Sequence, residues 1–269
     1  QYVAESESWY RQRYRTEDSP AHFGFRDESG KQVRLSAFTL IGNTDQEVAP
    51  IPGLWGGWHD AADWDRRYHH YRVVWDLLAL AETRAGQFPD GQLNMPESGN
   101  GIPDLLDEAS WGVEVWARSQ RADGAVSSWI EQESHPNAGD TLESAFIHGD
   151  EEMPFFASIP DRTGSFAYAS AAAWLGRLLQ PYDAKRGQAM IHSAARAFDW
   201  ARSDAAVMQD LTFQIERPMR DRGLQGQTLR FDEDPDMQPE DNAFSEAAFA
   251  AGNLYLATRN PDYLNFWSD

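Results

Sequence analysis

The chain has 269 residues, a length that suits one large domain or two small ones. Hydrophobic residues make up 41% of it, which supports a substantial core and excludes a disordered chain. No apolar run approaches the ~18 residues that a membrane span needs. With 23 basic against 43 acidic residues the formal charge is −20, which repels phosphate backbones, anionic membranes and acidic polysaccharides. Nucleic acid and membrane are therefore not expected as partners; a neutral or cationic ligand is easier to hold.

Eleven Trp, nine Tyr and fourteen Phe are many for so polar a chain. Flat rings fill cores, and they also stack on the apolar faces of sugars. The absence of Cys excludes disulfides, thiol nucleophiles and cysteine metal sites, and does not separate the cytoplasm from the outside. The chain begins at Gln1 with neither an initiator Met nor a signal peptide, the pattern of a protein processed or truncated at its front. Its expected location is secreted or periplasmic.

In chain order, residues 5–15 (ESESWYRQRYR) suggest a short aromatic helix. Residues 27–42 (DESGKQVRLSAFTLIG) join a Ser-Gly turn to brief alternation, which suggests a small hairpin. Pro and Gly punctuate 47–57, a loop. Helical periodicity then takes over. Val74, Leu77, Leu78 and Ala81 fall at i, i+3, i+4 and i+7, one face of a helix. The spacing recurs at Ile102, Leu105, Leu106 and Ala109, with Pro103 in the first turn, where its missing N–H costs nothing. It recurs again at Ala171, Trp174, Leu175 and Leu178, at Ile191, Ala194, Ala195 and Phe198, and at Phe244, Ala247, Ala248 and Ala251.

Asp183 is placed to cap the helix around Ile191. The stripes predict that Val74, Leu105, Leu106, Trp174, Leu175, Ile191, Phe198, Phe244 and Ala248 are buried. No comparable run of strands is seen, so the fold is expected to be all-α. Residues 121–163 and 203–240 are long connections, rich in Gly, Pro, Asp and Glu, of the kind that borders a cleft. At the end, Asn260 and Pro261 read as a helix start, with Asn260 as N-cap. The helix then stops within two turns, and Phe266 and Trp267 have no evident burial partner, so the fold is expected to be unfinished at Asp269.

The run GGWHDAADWDRR, residues 56–67, concentrates chemistry. Gly56 and Gly57 permit a sharp turn and a close backbone approach. Asp60 and Asp63 are three apart, so a helical turn there puts both carboxylates on one side. Two such carboxylates can hold a water, one orienting it and the other taking its proton, while like-charge proximity raises one pKa. Two blander readings compete: Asp63 or Asp65 caps the following helix, or Asp65 pairs with Arg66 or Arg67. A metal held by Asp60, Asp63, Asp65, His59, His69 and His70 is a third, without an H-x-x-E-H or EF-hand spacing behind it.

GGWHDAADWD resembles the GGW(Y/H)DAGD signature of glycoside hydrolase family 9, the inverting family that contains many cellulases. IPDLLDEASWGVEVWARSQRADGAV is similar to that family's PDLLDE…WG…W…Q…DGG helix and turn. FAYASAAAWLGRLLQPYDAKRGQAMIHSAARAFDWA resembles its paired Ala-rich helices, and AFSEAAFAAGNLYLATRNPDYL its AAAELYLATGDPAYL segment. The likeness spans residues 5 to 269. It implies an (α/α)6 barrel of twelve helices with a cleft across one end, of which the chain covers about half, as one N-terminal part of a catalytic domain.

The resemblance also implies Asp63 as general base and Asp60 as the partner that holds the nucleophilic water. Ala62 departs from the usual Gly, and DWDRRYHH from the commoner DYGKY. The family's general acid, a glutamate in a D-Y-x-x-N-E context, has no counterpart here: Glu216, Glu233, Glu240 and Glu246 all lie upstream of where it should occur. The acid is therefore expected from the remaining half of the barrel, in cis or as a separate segment, and residues 1–269 alone are expected to be catalytically silent.

His135 and Glu131 sit in a loop expected to border the cleft, and Trp58 and Trp129 are candidate stacking platforms, although Trp is often core. Arg66 is a candidate for orienting Asp60 or binding sugar hydroxyls, against a plain salt bridge. Trp111 and Trp116 fall in a helical frame and are expected in the core. The acidic stretch 232–241 reads as a solvated loop; a structural Ca²⁺ contact there has no ligand spacing to support it, and no cofactor is expected. The activity implied is inverting hydrolysis of β-1,4-linked glucan by an enzyme acting on β-linked oligo- or polysaccharide. The alternatives are an exo-acting β-glucosaminidase of the same family and a non-catalytic carbohydrate-binding protein on a degenerate barrel.

Overall fold

In a computed structural model of the chain, side chains are described for residues 56–58, 70–93, 95–128, 160–207 and 243–266. Backbone alone is described for the strands at 25–26, 32–36, 39–43, 66–67, 129–132, 155–157, 217–218 and 228–229, and for the helix start at 239–242. The predicted aromatic helix at 5–15, the acidic stretch 232–241 apart from its last three residues, and His59, Asp60, Asp63, Asp65, His69 and His135 lie outside the described residues.

The helices are α1 (Tyr71–Thr83), α2 (Asp104–Ser119), α3 (Arg162–Leu179), α4 (Ala184–Ala201), α5 (Pro239–Thr258) and the single turn α6 (Asp262–Asn265). The strands are short: β1 (Phe25–Arg26), β2 (Gln32–Ser36), β3 (Thr39–Asn43), β4 (Arg66–Arg67), β5 (Trp129–Gln132), β6 (Phe155–Ala157), β7 (Arg217–Pro218) and β8 (Thr228–Leu229). The predicted hairpin at 27–42 is present within an antiparallel β1–β2–β3 meander, with an irregularity between Val33 and Leu35. The sheet β4–β5–β6 is antiparallel too and pairs Arg66 with Ile130 and Arg67 with Trp129.

Helix α3 is the centre. Helices α4 and α5 pack along it, and α1 and α2 flank it. Its small residues let neighbours come close: a Cβ added to Gly176 would lie 2.6 Å from the carbonyl oxygen of Gly187 on α4. Asp183 caps α4 as expected, accepting from the Arg186 N–H at 2.9 Å. Rings of α1, α3 and α5 meet where Phe249 stands edge-on to Trp75 (centroids 5.0 Å) and to Trp174 (6.0 Å). These helices run in one direction. Tyr71 near the start of α1 senses Asp161 at the start of α3, and Glu82 near the end of α1 pairs with Arg177 near the end of α3. The inner layer is thus α1, α3 and α5, backed by α2, α4 and α6.

Of the predicted core, Val74, Leu105, Leu106, Leu175, Ile191, Phe198 and Ala248 are buried, as are Trp111 and Trp116. Phe244 is the correction: it is 68% exposed. Helix α5 is apolar nearly all round, so its periodicity does not choose a face, and Ala247, Ala250, Ala251 and Leu254 form the buried side. Trp174 is half-buried because its indole edge turns out to Glu82, to which Nε1 donates at 2.7 Å. Phe266 does find partners, Phe198 at 5.7 Å and Phe244 at 6.4 Å between centroids. Two helix starts shift by one residue. Pro103 and Pro261 stand at the N-cap, and the Asn260 side chain accepts from the Asp262 N–H at 3.0 Å. Among the described residues no helix is long and apolar enough to cross a membrane.

Candidate active site

The segment that opens the aspartate run is seated on one face of α2. Gly56 and Gly57 have φ of 102° and 79°, left-handed backbone that glycine adopts without strain. The Gly57 carbonyl accepts from Trp111 Nε1 at 2.8 Å, and Trp58 Nε1 donates to Glu108 Oε1 at 2.8 Å. The Trp58 ring lies over Gly112, where an added Cβ would come within 2.2 Å of a ring carbon. Glu108, Trp111 and Gly112 stand at i, i+3 and i+4, so a single helix face carries all three contacts. Trp58 thus spends its N–H and one ring edge on the support of the loop.

Helix α2 is itself firmly held. The fully buried Asp104 carboxylate accepts from the Gly91 N–H at 2.9 Å, the Leu93 N–H at 2.5 Å and the Ser98 hydroxyl at 3.2 Å. Asp107 accepts from Asn100 Nδ2 at 3.0 Å, with Arg186 at 3.9 Å, and burial pushes its carboxyl up to about 7. On the outer side Glu114 binds Arg186 at 2.6 Å and Arg118 at 3.2 Å. A mid-helix glycine beside a tryptophan, the Trp111–Gly112 pair, was the sequence signal for this seat.

Downstream of the aspartates, Arg66 lies in β4 rather than on a helix face, and β4 pairs with β5, the strand containing Trp129 and Glu131. Backbone pairing therefore joins two sequence-distant stretches that contain candidate residues, at the end where α1 and α3 begin. The capping reading is removed. Helix α1 starts at Tyr71 after His70 with no side-chain cap, so neither Asp63 nor Asp65 is its N-cap. Glu246, in the second turn of α5, belongs to the same end; burial pushes its carboxyl up to about 7, and Arg72 in the first turn of α1 draws it back.

The opposite end holds a cavity of about 430 Å³, lined among others by Phe88, Pro103, Leu105, Leu178 and Tyr182. Its carboxylates are committed elsewhere. Glu82 is bidentate to Arg177 and accepts from Trp174, while Asp90 accepts from the N–H groups of Gly99 and Gly101. Among the described residues that end has no free acid–base pair, and it is not the candidate site. Among the described residues no group of three or more His, Asp or Glu could hold a metal ion.

No family model matches the chain. Endoglucanase C of Cellulomonas fimi is 28% identical over 158 residues, which cover 56% of this chain and 14% of that protein. Cellulose 1,4-beta-cellobiosidase of Acetivibrio thermocellus is 27% identical over 139 residues, covering 48% and 15%. A metagenome-derived glycoside hydrolase family 9 endoglucanase superposes with a TM-score of 0.61 at 24% identity, over 97% of this chain and 45% of that one. The chain has the glycoside hydrolase family 9 fold. That fold is an (α/α)6 barrel, and the chain covers about half of it. It spans a far smaller share of the curated relatives it matches. In the family 9 frame, the inner helices α1, α3 and α5 direct their first turns to one end of the barrel, where β4, β5 and β6 collect.

Proposed function

We propose that this chain is the base-bearing part of an inverting β-glycosidase that hydrolyses β-1,4-linked glucan. The observation that supports it is the seating of residues 56–58 on α2 together with the β4–β5 pairing, which fixes both flanks of the Asp60–Asp63 run at the end where the inner helices begin. In this reading Asp60 and Asp63 hold one water between them and Asp63 removes its proton as the oxygen attacks the anomeric carbon. The leaving oxygen is protonated by an acid outside residues 1–269, about 6.5–9.5 Å from the base so that water and sugar fit between. Arg66, Trp129, Glu131 and His135 are the proposed sugar contacts, with Trp58 as their support. No cofactor takes part. An enzyme of polymeric glucan would act outside the cytoplasm, in the periplasm or the medium.

Exo action is a second reading, favoured by the match to a cellobiosidase as well as to an endoglucanase. The lengths of the products released from β-glucan separate endo from exo action. A panel of β-glucan, xyloglucan and chitosan oligomers separates the glucosaminidase alternative, and the absence of any sugar release favours a binding protein. In the catalytically complete protein Asp63→Asn should lower kcat by at least ~10²-fold while sugar binding survives. Near-normal turnover in that variant would remove Asp63 as base. Residues 1–269 alone should release no sugar; if they do so at an enzyme's rate, an acid lies within them, and Glu246 is the first residue to replace.

A further inference from the structure

The strand β5 must be held at a set depth if the residues on it are to meet a substrate. The chain before it, 124–128, is buried and stitched to the first turn of α3. The Ser165 hydroxyl, fully enclosed, accepts from the Val126 N–H at 3.0 Å and donates to the Val126 carbonyl at 3.2 Å. Ser127 forms a backbone bridge with Pro160. Gly164 lies so close to Ser128 that an added Cβ would come within 2.3 Å of its Oγ. Asp161, the N-cap of α3, accepts from the Gly164 N–H at 2.8 Å; burial raises its pKa, and the N–H of Gly164 and the nearby Ser128 draw it partly back.

The wholly buried Tyr71 phenol of α1 makes no hydrogen bond among the described residues; burial raises its pKa, and Tyr168 and the Asp161 carboxylate add to that. Capping a helix requires only one oxygen, so the contacts to Val126 and Ser128 are surplus to that role. We propose that Ser165 and Asp161 are positioning residues: through Val126 and Ser128 they set the depth of the β4–β5–β6 sheet, and with it the backbone position of the strand that contains Trp129 and Glu131. The positioning claim stands on these contacts alone; its consequence for turnover rests on the glycosidase reading.

Hydrogen exchange read by mass spectrometry tests the first claim in Ser165→Ala and Asp161→Asn. Asparagine still caps a helix but offers Ser128 no carboxylate. Both variants should speed exchange at 129–132 by about tenfold while α3 and α4 stay as protected as in the parent. Unchanged exchange at 129–132 in both would overturn the inference. If Ser165→Ala fails to fold, Ser128→Ala asks the same question from the sheet side and leaves the α3 cap intact; slow exchange there also overturns it.

In the catalytically complete protein, kcat/KM on β-glucan oligomers should fall about tenfold, chiefly through KM, with an unchanged pH profile. A fall in kcat alone would signal a lower folded fraction and would remove the link between that strand and turnover. Faster exchange at 129–132 in a protein that never hydrolyses sugar would support the positioning and refute the glycosidase reading.

Discussion

Helices α3 and α1 lie side by side in the inner layer, yet α3 buries 13 of its 18 residues and α1 only 3 of its 13. Hydrophobicity does not explain this, since α1 carries Val73 and Leu80 on its exposed surface. Neighbours do. Helix α3 is met from both sides by α1 and α5 and from behind by α2 and α4, and its Ala, Gly and Ser residues let all of them approach. Helix α1 is met mainly by α2 and α3, touches α5 through Trp75 and Phe249, and leaves Val73 and Leu80 exposed among the described residues. The lesson is that position in the ring sets how much each residue contributes to stability. Equal substitutions in the two helices should have unequal effects.

The largest stability effect is expected at Gly176. Alanine in a helix interior normally gains about 1 kcal/mol over glycine. Here the new Cβ would meet the Gly187 carbonyl at 2.6 Å, backbone that cannot swing aside. Helices α3 and α4 must separate, and Gly176→Ala should cost about 1–3 kcal/mol net, lowering Tm by several degrees in thermal unfolding. An unchanged Tm would mean that the α3–α4 contact is looser than described.

At Gly112 the obstacles are side chains, the Trp58 ring and, at 2.8 Å, a methyl of the buried Val74. Side chains yield more readily than backbone, so Gly112→Ala should lower Tm less than Gly176→Ala, while it breaks the Trp58–Glu108 hydrogen bond and shifts the loop. In an active form of the protein kcat/KM should drop about tenfold, the scale of a small misplacement of reacting groups. A loss of Tm with intact kcat/KM would reverse the assignment and make Trp58 a core residue alone.

This division of labour was only partly legible in the sequence. Helices α1 to α5 were legible because the i, i+3, i+4, i+7 stripe, about two turns long, appears five times, and the motifs around Trp58, Leu105 and Leu254 pointed to the barrel. Strands β4 to β8 were not: runs of two to four residues are too short to show alternation. Phe244 misled because apolar residues lie nearly all round α5, so its stripe does not choose a face. The seat of residues 56–58 showed only one mark in the sequence, the mid-helix Gly112; its companion Glu108 is unremarkable until a loop some fifty residues earlier is laid across the helix.

A smaller effect separates the buried acid of α2 from the paired acids at the other end. Burial pushes the Asp107 carboxyl up to about 7 in the folded chain, against ~3.9 for an unfolded Asp. Between those values the folded state holds a proton that the unfolded state has released. Stability should therefore fall as pH rises from about 4 to about 7 and level off above. Asp107→Asn keeps a partner for Asn100 and removes the titration. It should flatten that window and leave the variant more stable above pH 7, by on the order of 1–2 kcal/mol once the lost Arg186 contact is counted. Glu82, whose carboxyl Arg177 holds below its ordinary value, supplies the opposite case, with support lost at low pH. Denaturant unfolding from pH 4 to 8 checks both. A slope that persists in Asp107→Asn would move the titration to Glu97 or Glu246, which burial also raises.

The smallest effect is the sharpest test of the comparison itself. Val73 is 48% exposed on α1, and Val74, its neighbour, is fully enclosed. Truncating Val74 to Ala removes packed methyl groups and leaves a void, which should cost on the order of 2 kcal/mol. At Val73 the lost burial is slight and the better helix propensity of Ala offsets it, so Val73→Ala should lie within about 0.5 kcal/mol of the parent. Measured on residues 1–269 by denaturant unfolding, that near-zero value is the signature of an inner helix with an open side. If α1 meets a further helix when the barrel is closed, the same substitution in a longer form should rise toward the cost seen at Val74. A cost that stays near zero in both forms would mean that Val73 faces solvent in the closed barrel too. The open side of α1 would then have to lie elsewhere on the helix, and Leu80 would be the next residue to truncate.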